Sequence, residues 1–176
     1  VVGILWDDVF TKYFYNYQTV AIMLILVGVV FIIIERSNKN KIARVDSIDD
    51  ISYGQAFLIG VFQMIAAIFP GTSRSGSTIV GSLMLGISRT AAAEFTFFLA
   101  VPAMFGGSAI KILKYSGGFN SAEVALLAIG MIVAFVLSII AIKFLMSYIK
   151  KHDFKVFGWY RIILGIAVIG YFLATR

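Results

Sequence analysis

Residues 66–83 read AAIFPGTSRSGSTIVGSL, and the nine positions 70–78 within them hold one arginine, five hydroxyl side chains and two glycines between two apolar runs. The runs are short. At about 1.5 Å of rise per residue, a helix over residues 55–69 reaches roughly 22 Å and one over residues 78–87 roughly 15 Å, against a hydrocarbon core of about 30 Å. Neither crosses comfortably, so the pattern predicts a re-entrant helical hairpin over about residues 55–87 that carries its polar turn into the membrane. Irregular backbone at that depth is tolerated where it lines protein or a watery cavity.

The rest of the chain supplies the membrane. With 60% hydrophobic residues, 14% charged residues and a mean hydropathy of +0.95, the 176 residues are too apolar for a water-facing surface. Further apolar runs at residues 18–34, 91–113, 122–149 and 156–173 read as spans. The expected fold is all-α: a polytopic membrane helical bundle with a re-entrant hairpin, in one membrane domain over residues 1–176. No leading segment has the form of a cleavable signal. The chain has no cysteine, which removes disulfides, thiol nucleophiles and thiolate metal sites, and its only histidine is His152 in a basic loop. The net charge of +6 does not point to nucleic acid, because the basic residues sit at the edges of apolar runs, where they set topology.

Charge also orients the bundle. If the hairpin leaves by the side it came from, Arg36, Lys39, Lys41, Arg44, Arg89, Lys150, Lys151 and Lys155 share one side, and Lys12, Lys111, Lys114 and Arg176 the other. The richer side is expected to be cytoplasmic, with the polar turn opening toward the extracytoplasmic face.

The turn has the chemistry of an anion site. Pro70 closes the incoming helix, Gly71 and Gly76 permit positive φ, and Ser75, Gly76 or Ser77 is a natural N-cap for the outgoing one. The first amides of that helix lack intrahelical partners and carry the positive end of its dipole. Arg74 adds a planar fork for two phosphate oxygens, and Thr72, Ser73, Ser75, Ser77 and Thr78 add hydroxyls. The competing reading is a Gly/Ser turn used for close helix contacts or lying at the surface. An arginine near mid-bilayer costs on the order of 3 kcal/mol, which favours a role for it. Glu94, a few residues into a span, is a candidate partner for Arg74 or Arg89. Gln63 reads as an interhelical hydrogen-bonding residue or a substrate contact, and Arg161, behind Trp159 and Tyr160, as an interfacial anchor. The acidic residues lie mostly in loops, so no metal site is expected within this chain.

The motif PGTSRSGSTI, preceded by QAFLIGVFQMIAAIFP and followed by GISRTAAAEFTFFLAVPAMFG, resembles the bacterial undecaprenyl pyrophosphate phosphatases, the bacitracin-resistance family, and the similarity runs along essentially the whole chain. The resemblance implies removal of the terminal phosphate from a C55 isoprenoid diphosphate at the extracytoplasmic face of the bacterial plasma membrane. That reaction recycles the lipid carrier of peptidoglycan synthesis. It also implies an inverted-repeat helical architecture, of which this chain would hold one half-pattern, and a divalent cation, Mg or Ca. Ser73 and Arg74 would then be catalytic, with Gly71, Thr72, Ser75, Gly76, Ser77 and Thr78 binding the diphosphate. Family members are about half as long again and carry a glutamate-rich hairpin and a histidine-containing motif in their N-terminal part. This chain has neither, so it reads as the C-terminal two thirds of a longer protein and is expected to be inactive alone. A transporter or flippase for an anionic lipid or solute stays open beside the phosphatase, since half-helices facing a membrane anion site serve both. Partners are the polyprenyl diphosphate and the membrane, and a homo-oligomer is left open.

Overall fold

The computed structural model describes residues 14–39, 41–115, 117, 118 and 120–175. These form six α-helices, with one short 3-10 turn at Ile48–Asp50 and no strand among the described residues. The helices are α1 (Tyr17–Asn38), α2 (Tyr53–Ile68), α3 (Arg74–Met84), α4 (Arg89–Lys114), α5 (Ser121–Ile149) and α6 (Lys155–Ala174). Four of them, α1, α4, α5 and α6, are long and apolar enough to cross a membrane. The chain is a multi-pass helical membrane protein. Lys12 and Arg176 of the charge count lie outside the described residues.

Contacts divide the chain into two compact units, one made of residues 1–96 and 153–176, the other of residues 97–152. In the first, α1 and α6 run antiparallel in a fixed register. Tyr17 stacks on Phe172 at one end with ring centroids 4.0 Å apart. At the other, the Glu35 carboxylate accepts a hydrogen bond from the Phe154 amide at 3.0 Å. Between these points the backbones touch. A Cβ on Gly28 would stand 2.6 Å from the Gly158 carbonyl oxygen, and one on Gly165 would stand 2.9 Å from that of Ala21. Small residues at such contacts are how helices associate where lipid removes the hydrophobic drive between them.

Against this pair stands the hairpin. Ser52 and Gln55 start α2 with a reciprocal capping box. The α2 and α3 arms meet where Gly81 faces Phe62, whose ring would lie 2.6 Å from an added Cβ. The base of the hairpin is closed by backbone pairing: the Arg44 amide donates to Gly86 O and the Ser88 amide to Val45 O, each at 2.8 Å. The chain therefore leaves the hairpin at the end where it came in. Asn38, at the end of α1, donates to Leu83 O and fixes the same end. At the far end, an added Cβ on Gly71 would meet Val20 O, in the first turn of α1, and Phe69 meets Phe14 edge-on at 4.9 Å. With about 24 Å in α2 and about 16 Å in α3, the hairpin reaches most of the way along the roughly 33 Å of α1. The first turns of α4 seal one flank, with Ala91, Ala92 and Ala93 buried. Arg89 makes a two-pronged pair with Glu35, Nε lying 2.9 Å from Oε1 and 3.0 Å from Oε2.

The second unit contains the rest of α4 and all of α5. Asn120 and Glu123 cap α5 reciprocally, and every face of the helix except Ile149 is at least partly open, at a mean hydropathy of 2.9. A helix this apolar on all sides is suited to crossing a membrane. His152 stacks on Tyr148 at 4.3 Å, as a loop residue beyond the end of α5.

Candidate anion site at the hairpin turn

The turn is tighter than its sequence suggests. After α2 ends at Ile68, only residues 69–73 are irregular before α3 begins at Arg74. Gly71 takes φ +89, as expected for a glycine placed here. The second positive φ falls not on Gly76, which is helical and buried, but on Ser73, at +67. Among the described residues Ser73 is the one non-glycine with that geometry. Such a conformation costs of order 1–3 kcal/mol and persists where surrounding structure imposes it, commonly at functional sites.

That backbone twist makes Ser73 the N-cap, correcting the expectation of Ser75, Gly76 or Ser77. Its Oγ accepts from the Gly76 amide at 3.3 Å and lies 3.2 Å from Ser75 Oγ, while Ser73 O accepts from the Ser77 amide. The amides of Ser73, Arg74 and Ser75 are left without an acceptor among the described residues. Three successive unpaired N–H groups at a helix start form the concavity in which anions are held. Ser73, Arg74 and Ser75 are all exposed there. The Arg74 guanidinium makes no ion pair or hydrogen bond among the described residues, in contrast to Arg89 and Arg161.

The earlier helix start moves other residues inward. Thr78, only 1% exposed, sends its Oγ1 to Arg74 O and Ser75 O at 3.1 Å, and meets Thr96 Oγ1 at 2.9 Å. That hydroxyl is committed to fastening α3 to α4 and is not presented to a ligand. Ser77 is 5% exposed, so it too faces protein. Thr72 behaves differently: 2% exposed, its Oγ1 has no partner among the described residues, a buried polar atom whose desolvation costs about 1–3 kcal/mol unless water or a ligand reaches it.

Glu94 pairs with neither Arg74 nor Arg89, the latter being taken by Glu35. It lies two residues from Thr96, about 200° around α4 from the side chain that meets the hairpin. Gln63 makes no hydrogen bond among the described residues and sits in α2 behind the turn. The structure joins neither to the site. The reverse holds for Arg161, expected at an interface. It stands in the second turn of α6, and its Nη2 donates to both Gly71 O and Thr72 O, the second at 2.8 Å. A guanidinium beyond the first turn of an apolar span was the available signal.

The donor set suits an oxyanion. It consists of amides, hydroxyls and a guanidinium, all able to donate to phosphate oxygens. It does not suit Mg or Ca, which need several carboxylate or carbonyl oxygens, and no group of three or more acidic, histidine or cysteine residues is gathered among the described residues.

The profile of the family described as bacitracin resistance protein BacA matches residues 1–167. The chain is 65% identical over 174 residues to an undecaprenyl-diphosphatase of Desulfitobacterium hafniense, covering 99% of this chain and 63% of that protein. It is 62% identical to undecaprenyl-diphosphatase 1 of Clostridium acetobutylicum, covering 98% and 63%. With an undecaprenyl-diphosphatase of Enterococcus faecalis it shares 60% identity, covering 96% and 61%. The chain thus spans about three fifths of the length of these curated relatives.

Proposed function

Because the chain belongs to the bacitracin resistance protein BacA family, we propose that its hairpin turn holds the diphosphate of undecaprenyl diphosphate while the terminal phosphate is hydrolysed. The observation that carries this is the convergence of three amides, at Ser73, Arg74 and Ser75, on a turn whose own arginine, like them, has no partner among the described residues. The names of the relatives supply the substrate; the turn supplies the physics.

Phosphoryl transfer spreads charge over the equatorial oxygens of the moving group, so catalysis is largely positioning and fixed positive charge. Arg74 can grip two of those oxygens in its fork. The amides meet others at the positive end of α3, already oriented before substrate arrives. Ser73 and Ser75 add exposed hydroxyls. Ser73 Oγ touches Gly76 N and Ser75 Oγ, and no carboxylate or imidazole bonds to it among the described residues. Its hydroxyl can donate to phosphate, and any base that would activate it for attack belongs to groups outside the turn.

Orientation follows the same reading. In the first unit, Arg36, Arg44, Arg89 and Lys155 lie at the closed base of the hairpin, opposite the turn. The positive-inside rule puts that base in the cytoplasm and the turn at the extracytoplasmic face.

The test uses the protein at its full length, purified in detergent. Inorganic phosphate should be released from undecaprenyl diphosphate, and Arg74→Ala should lower kcat/KM by about 10³-fold, the scale of losing a transition-state arginine. Retained turnover in Arg74→Ala removes Arg74 from the machinery. Translocation of a diphosphate lipid with no phosphate release would instead identify a transporter.

A further inference from the structure

Arg161 belongs to a helix far from the turn in sequence, and the sequence motif does not include it. Its hydrogen bonds among the described residues go to backbone: Nη2 donates to the carbonyl oxygens of Gly71 and Thr72. A peptide unit is planar and trans, so fixing a carbonyl fixes the next N–H in the opposite direction. Holding Gly71 O orients the Thr72 amide, which donates back to Phe69 O at 3.3 Å. Holding Thr72 O turns the Ser73 amide, one of the three unpaired donors, away from Arg161 and toward the open face of the turn. The same grip sits directly before Ser73, whose φ of +67 needs an outside restraint.

Arg161 is itself held rigidly. Gly158 and Gly165, three residues before and four after, lie on its helical stripe, and both are pressed against the α1 backbone. The arginine thus leaves a helix face that cannot slide without a backbone clash. Its Nε is buried without a partner among the described residues, so the guanidinium is anchored by its bonds to the turn.

We propose that Arg161 is a positioning residue for the proposed phosphate site, acting through the Gly71 and Thr72 carbonyls to aim the Ser73 amide at the substrate. The proposal rests on the phosphatase reading, and its test separates the two. In the full-length protein, Arg161→Gln and Arg161→Lys are compared with wild type for kcat and KM of phosphate release from undecaprenyl diphosphate. The shift of the thermal unfolding midpoint on adding inorganic pyrophosphate is measured alongside.

Arg161→Gln should lower kcat at least tenfold and lose most of the pyrophosphate shift. Arg161→Lys, which keeps the charge and can reach one carbonyl at a time, should recover part of both. Arg161→Gln within twofold of wild type in kcat, with its pyrophosphate shift intact, overturns the proposal. So does a loss equal in Gln and Lys that simply tracks lowered ligand-free midpoints. Should Arg161→Gln fail to fold, Arg161→Lys decides: a reduced kcat at an unchanged midpoint supports the assignment, and a wild-type kcat refutes it. Wild type that is stabilised by pyrophosphate yet releases no phosphate would sink the phosphatase reading, while the Arg161 assignment would then stand or fall on the pyrophosphate shift in the variants. No pyrophosphate shift and no release in wild type would remove both.

Discussion

At Ser73 a hydroxyl and a backbone strain sit on one residue, and substitution separates them. Ser73→Ala keeps the positive φ and loses the cap, a loss worth about 1 kcal/mol. Ser73→Gly relieves the φ and, at an N-cap, gives up only a few tenths. The glycine variant should therefore unfold at a higher temperature than the alanine variant, by the equivalent of about 1–2 kcal/mol. An alanine variant at least as stable as the glycine one would show that the conformation is unstrained. Gly71 has no such latitude. At φ +89 and with Val20 O 2.5 Å from an added Cβ, Gly71→Ala should destabilise by more than about 2 kcal/mol, read by thermal unfolding in detergent. The sequence marked Gly71 correctly because a glycine after proline between two helices has few other uses. It could not mark Ser73, since which residue of a Ser/Gly-rich turn takes the odd φ depends on what clamps the carbonyls on either side.

At the scale of elements, the hairpin's existence was legible from length alone: two apolar runs too short to span. What fastens it was not. Glu35 reads in sequence as the polar end of a span, yet it is 1% exposed and ties α1, α4 and α6 through Arg89 and the Phe154 amide. Breaking a fully buried pair costs about 3–5 kcal/mol. Arg89 is 39% exposed on its side chain, so water can take over part of its solvation, and Glu35→Gln should destabilise by about 2 kcal/mol. Adding Arg89→Met should return part of that loss, because the uncompensated charge is gone; a double variant weaker than the sum of the singles would contradict this. The α1–α6 contact makes a second demand. Gly165→Leu would push against the Ala21 carbonyl and shift the stripe that carries Arg161, so it should lower both stability and the pyrophosphate-induced shift in unfolding midpoint.

For the whole molecule, the testable quantity is sidedness. This sequence has no cysteine, so single thiols report cleanly once any others in the full-length protein are removed. Ser75→Cys should react with a membrane-impermeant maleimide in intact spheroplasts, and Lys41→Cys only after permeabilisation. The opposite pattern would invert the assigned topology and place the turn on the cytoplasmic side.

Composition and periodicity by themselves determined that this is a helical membrane protein, and the lengths of its apolar runs determined that one pair forms a hairpin. Both properties are summed along the chain, as the cost of burying polar groups in hydrocarbon is. The motif around Arg74 likewise pointed to the anion site proposed for the turn, because a guanidinium among hydroxyls and glycines has few other uses there. Only the tertiary structure decided which donors remain free. Thr78 and Gly76 are consumed by helix and cap, Glu94 turns aside, and Arg161 arrives from α6 to hold the turn. Hydrogen-bond partners are set by which backbones come within about 3 Å of each other, and that distance is fixed by packing between segments some ninety residues apart, which no local pattern encodes.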